Sequence, residues 1–106
     1  MSRWQAALSR HPGIAARVLC EQEAARPAQS QAARFAAKEA LVKALGSPVG
    51  LSWHDAEVLV DAYGAPSFQL RGATAERARR QGIDAIHLSL SHDGGMAIAF
   101  VVCERG

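Results

Sequence analysis

A chain of 106 residues with 49% apolar content has enough material for one modest core and too little for two, so it reads as a single domain, 1–106, in which an extensive active site is easier to build between subunits. Twelve lysines and arginines against ten acids leave a net charge of +2, which excludes a nucleic-acid footprint and hints only at an acidic partner. No apolar run approaches the roughly 20 residues that span a bilayer, and the N-terminus lacks a secretory layout. The expectation is therefore a soluble, cytoplasmic protein without a membrane partner, its two separated cysteines, Cys20 and Cys103, reduced and part-buried.

Ser2 is placed to cap a short helix running to about Arg10, with Trp4, Ala7 and Leu8 on one face and His11-Pro12-Gly13 closing it. Arg3 and Arg10 share one side of it. Ile14 to Leu19 continues as a helical turn that adds Arg17, before the acidic Glu21-Gln22-Glu23 and the break at Pro27. Three arginines at this spacing fit a solvated face or a docking surface for an acidic partner.

From about Ser30 to Leu45 nothing breaks a helix, and Gly46 with Pro48 supplies the stop. Phe35, Ala36, Ala40, Leu41, Val42, Ala44 and Leu45 point almost all the way round the axis, so this central helix is expected to be largely enclosed. Its charges then need a reason. Arg34 and Lys38 share one edge, and Glu39 and Lys43 share another about 140° away. Either the long side chains snorkel out and pair on the helix surface, or a carboxylate is held beside cations on a rigid helix, an arrangement that suits a divalent metal and the phosphates it bridges. Periodicity leaves both open.

Ser47 to His54 is a turn-rich connection, and Ala56 to Asp61 reads as a strand. The turn Ala62-Tyr63-Gly64-Ala65-Pro66 leads into Ser67 to Leu70, completing a hairpin with Phe68 and Leu70 on one face. A helix from about Ala73 to Gln81 follows, stopped by Gly82, with Glu76, Arg77, Arg79 and Arg80 toward solvent. Two strands end the chain, Ala85 to Ser91 and Met96 to Cys103, joined by His92-Asp93-Gly94-Gly95. Met96 to Val102 is nearly all apolar, as expected of a strand buried on both faces or against a neighbouring subunit. The fold class is α+β, a small antiparallel sheet packed around the long central helix.

Three separated motifs now stand in order: Arg34-Phe35-Ala36-Ala37-Lys38-Glu39-Ala40 with Lys43-Ala44-Leu45-Gly46, then Gly64-Ala65-Pro66, then His87-Leu88-Ser89-Leu90-Ser91-His92-Asp93. Over essentially the whole chain they resemble the holo-acyl carrier protein synthase family, the small trimeric 4'-phosphopantetheinyl transferases. The resemblance implies magnesium-dependent transfer of the phosphopantetheine arm of coenzyme A to a serine of an apo acyl carrier protein, leaving 3',5'-ADP, by a homotrimer with clefts between subunits. It implies that Glu39 ligates the metal and that Lys43, one turn on, meets the pyrophosphate, these two being the catalytic pair. It sets Arg34 and His92 near the nucleotide's phosphates and makes Gly64, Pro66 and Ser91 border the adenosine. Arg3 falls in the helix that meets the acidic recognition helix of the carrier protein, with Arg10 and Arg17 as helpers.

Members of that family begin with a strand carrying Gly-Ile-Asp or Gly-Leu-Asp, whose aspartate is a second metal ligand, whereas this chain starts at Met1-Ser2-Arg3-Trp4, already at the first helix. Gly82-Ile83-Asp84 spells the same tripeptide but comes too late in the chain to replace it. Glu39 would then hold magnesium alone, only more weakly. The alternative is a catalytically impaired module that binds coenzyme A or the carrier protein without the full metal site.

Overall fold

The computed structural model describes residues 3–93 and 95–106; Ser2, expected as a helix cap, and Gly94 of the last turn lie outside the described residues. Four helices open the chain: α1 (Arg3–Arg10), α2 (Ile14–Val18), α3 (Glu21–Ala24) and the long α4 (Ala28–Ala44). A 3-10 turn at Trp53–Asp55 leads into the hairpin β1 (Ala56–Val60) and β2 (Pro66–Leu70). Then come α5 (Gly72–Arg80) and a second hairpin, β3 (Ile83–Asp93) and β4 (Met96–Arg105).

α4 starts two residues before the expected Ser30, because Pro27 has its φ of −57° already set for helix entry and its carbonyl accepts from Gln31 N at 3.0 Å. It ends where Gly46 turns left-handed at φ 84°, which lets Ser47 N donate to the Val42 carbonyl at 2.8 Å. One cluster, Leu41, Leu45, Ala56 and Ala78, gathers Phe68, Leu70, Ile86 and Val101 around the end of α4. A second, Trp4, Val18 and Leu19, gathers Leu8, Phe35 and Trp53 around its beginning. The expected enclosure of the central helix is thus observed except at its two ends, where Ala28, Gln29, Lys43 and Ala44 are exposed.

The α+β class with antiparallel strands packed around α4 is as expected, but the strands are divided between two small sheets instead of one. Each hairpin is its own two-stranded antiparallel sheet, β1 with β2 (Val58 opposite Phe68) and β3 with β4 (Ser89 opposite Phe100). The second hairpin extends beyond the expected Ala85 to Ser91 and Met96 to Cys103, with a register shift between Ile83 and Ala85. Of the two forms of burial expected for the last strand, on both faces or against a neighbouring subunit, the first is not observed. Ala97, Ala99, Val101 and Cys103 turn toward the molecule, but Met96, Ile98, Phe100 and Val102 are 64%, 52%, 70% and 52% exposed. Both cysteines are free and half-buried, and burial pushes each thiol above its usual range. No helix among the described residues is long and apolar enough to cross a membrane.

Candidate functional site

The four charges of α4 have four different fates. Lys38 is 1% exposed, and its ammonium gives all three hydrogen bonds inside the protein, to Glu23 Oε1 at 2.5 Å, the Val18 carbonyl at 2.6 Å and the Trp53 carbonyl at 3.2 Å. Glu23, equally buried, accepts in addition from Cys20 N and Val58 N, both at 2.9 Å. A buried ion pair survives only when its remaining donors and acceptors are used, and here they are. Lys38 does not snorkel, because α3 and β1 close over that edge; it ties α2, α3, α4, the 3-10 turn and β1 together.

Arg34 is 4% exposed and does not snorkel either. Its Nη1 donates to the Ser30 carbonyl at 3.3 Å, while its Nε is buried without a partner. Burial first, then the nearby Arg26 guanidinium, lowers its pKa from the usual value, against the pull of Glu23. Arg34 and Arg26 border a pocket of about 270 Å³ against Leu59 and Val60 of β1.

Glu39 faces the other way. Arg3 Nη2 donates to its Oε2 at 2.7 Å, and its Oε1 is buried with no partner. The surface pair with Lys43 is replaced by this longer-range one: Lys43 lies exposed one turn on and makes no ion pair among the described residues. Glu39 lines a pocket of about 170 Å³ between α1, α4 and the start of β4, walled by Trp4, Phe35, Ala36 and Met96. A neighbouring pocket of about 300 Å³ holds His92, Gln5 and Gln29 and shares Ala32, Met96 and Ala97 with the first, so the two form one cleft along α4.

The candidate residues therefore fall into groups. Arg3 and Glu39 line one part of the cleft and His92 the adjoining part, with Ser91 exposed beside His92 and Lys43 one turn further along α4. Arg34 opens on a different pocket across the helix. Gly64 belongs to an exposed hairpin turn, built by Asp61 Oδ1 accepting from Tyr63 N and Ala65 N and by Gly64 at φ 83°; Pro66, half-buried, opens β2 just after it, and the two line neither pocket. Arg10 and Arg17 are exposed on α1 and α2. The sequence reading missed Arg26, which lies beyond the end of α3 where no periodicity marks it, and Glu23, whose role depends on a lysine 15 residues away.

Glu39 is the one acid lining the cleft among the described residues, and no group of three or more His, Cys, Asp or Glu there is set to hold a metal. A single carboxylate with a buried, unpartnered oxygen nevertheless fits magnesium, which takes one or two protein carboxylates and completes its shell with waters and substrate phosphates.

Residues 2–101 match the 4'-phosphopantetheinyl transferase superfamily. A holo-[acyl-carrier-protein] synthase of Cutibacterium acnes is 58% identical over 98% of this chain and 90% of its own length. Among solved structures, the holo-[acyl-carrier-protein] synthase of Neisseria meningitidis superposes with a TM-score of 0.81 at 32% identity, over 95% of this chain and 87% of that one. That of Helicobacter pylori in complex with coenzyme A gives 0.79 at 31% identity, over 96% and 91%.

Proposed function

The chain belongs to the 4'-phosphopantetheinyl transferase superfamily, and on that premise we infer that it moves the 4'-phosphopantetheine arm of coenzyme A to a serine of an apo acyl carrier protein, leaving 3',5'-ADP. The observation that supports the reading at the level of residues is the buried, unpartnered Oε1 of Glu39 in the wall of a cleft whose adjoining part holds His92.

Transfer of a phosphoryl group asks a protein mainly for positioning and for neutralising charge on phosphate oxygens and the leaving group. Glu39 is the residue that would hold magnesium, which when bound supplies that neutralisation on the pyrophosphate. Lys43, exposed and one turn along the same helix, brings a cation to the same phosphates. Glu39 is also the carboxylate in the cleft able to take the serine proton. His92 and Arg34 are assigned to the other phosphates of the nucleotide, with Arg26 as the second cation beside Arg34, and Gly64, Pro66 and Ser91 to the adenosine. Arg3, Arg10 and Arg17 present an exposed basic edge to an acidic carrier.

Arg34 and the Gly64–Pro66 turn stand apart from the Glu39 cleft, which favours a homotrimer in which one coenzyme A contacts two chains. The bare apolar face of β4 supports the same assembly.

The test is incubation with coenzyme A, magnesium and apo carrier, reading the carrier's mass. Glu39→Ala and Lys43→Ala are each expected to slow the gain of the arm by about 100-fold or more. That Glu39 is the one carboxylate lining the cleft among the described residues also favours a second reading, a binding module without turnover. That reading requires coenzyme A binding indifferent to magnesium and to Glu39→Ala, with no mass gain.

A further inference from the structure

The ion pair between Arg3 and Glu39 joins two tasks assigned above to different parts of the chain. Arg3 stands at the start of α1, seven residues before Arg10 and on the same side of that helix, while Glu39 lies near the middle of α4. The Arg3 side chain is 75% exposed and that of Glu39 only 19%, so the guanidinium reaches from solvent onto a carboxylate in the cleft wall. Since no other acid lines the cleft among the described residues, Arg3 neutralises the one group there that suits a hard cation. A guanidinium and a divalent ion on the same carboxylate repel each other, so each weakens the other's hold. An ion pair this exposed on one side is weak and exchanges readily for another carboxylate. An acidic surface docking along α1 would offer such carboxylates.

We propose that Arg3 is a positioning residue that couples carrier docking to metal loading: in the free chain it holds Glu39 Oε2, and an acidic partner on α1 draws it off and opens the carboxylate to the metal. The inference rests on the transferase reading above. The coupling is reciprocal, so metal at Glu39 tightens carrier binding by the same factor.

Manganese(II) serves as the probe, its free concentration read by electron paramagnetic resonance, with the full chain saturated with coenzyme A. The titration is run with and without an apo carrier whose acceptor serine is replaced by alanine, so that no turnover occurs. The carrier is expected to tighten manganese binding to the native chain by about two- to fivefold. Arg3→Ala is expected to show that gain without the carrier and no further change with it. Unchanged or weaker manganese affinity in Arg3→Ala, or a carrier effect that survives in it, overturns the coupling. Glu39→Gln separates the two levels of failure. If it keeps native manganese affinity, the metal assignment falls and takes the coupling with it; if it loses manganese while Arg3→Ala behaves as native, the coupling alone is wrong.

Discussion

Lys38 carries its charge where water does not reach; its three hydrogen bonds join α2, α3 and the 3-10 turn, and β1 is held through Val58 N on Glu23. Removing the cation leaves the Glu23 carboxylate buried without its counter-ion. Lys38→Met is therefore expected to cost about 3–5 kcal/mol, measured by urea unfolding at fixed protein concentration. Lys38→Met combined with Glu23→Gln should cost less than the two single changes summed, because neither partner is then left charged; strict additivity would mean that the two groups do not interact. None of this was legible beforehand. Helical spacing gave the edge on which Arg34 and Lys38 sit, but whether that edge meets water depends on α3 and β1, which are joined to it only by folding. The Arg3–Glu39 pair, 36 residues apart in sequence, was hidden for the same reason.

At the scale of elements, α4 could be read from its unbroken run of helix formers and its Gly46 stop, and both hairpins from their turn residues. β4 could not be oriented. Met96-Ala97-Ile98-Ala99-Phe100-Val101-Val102-Cys103 is apolar at every position, so a period of two carries no information about which face points inward. The small alanines face the body of the molecule, where α4 lies along the strand, and the larger side chains stand outside. Ser91, Ser89 and His87 lie opposite Ile98, Phe100 and Val102, and a hydrogen bond between His87 and Glu104 borders the far end of the stripe. An apolar stripe with a polar border is the form of an interface between copies. Phe100→Asp, which puts a charge where a partner would bury it, is expected to lower the solution mass measured by light scattering while leaving far-ultraviolet dichroism unchanged. A mass that does not fall would remove this face from the assembly.

On the whole molecule, the motif order gave the family, but motif order says nothing about which residues share a cleft. Arg34 precedes Glu39 by five residues and lies on the opposite side of α4, between β1 and Arg26, while Glu39 looks toward α1 and β4. If a single coenzyme A uses both, it takes Glu39 from one chain and Arg34 from the next. Subunit mixing tests this directly. Glu39→Gln and Arg34→Ala chains, each with little activity alone, are unfolded together, refolded at equal ratio and assayed. In a ring of heterologous contacts every mixed trimer regains one site whose Glu39 and Arg34 are both native, so random mixing should restore about a quarter of the native activity. If both residues serve the site of their own chain, mixing restores nothing, and the proposal that one site is built from two chains falls.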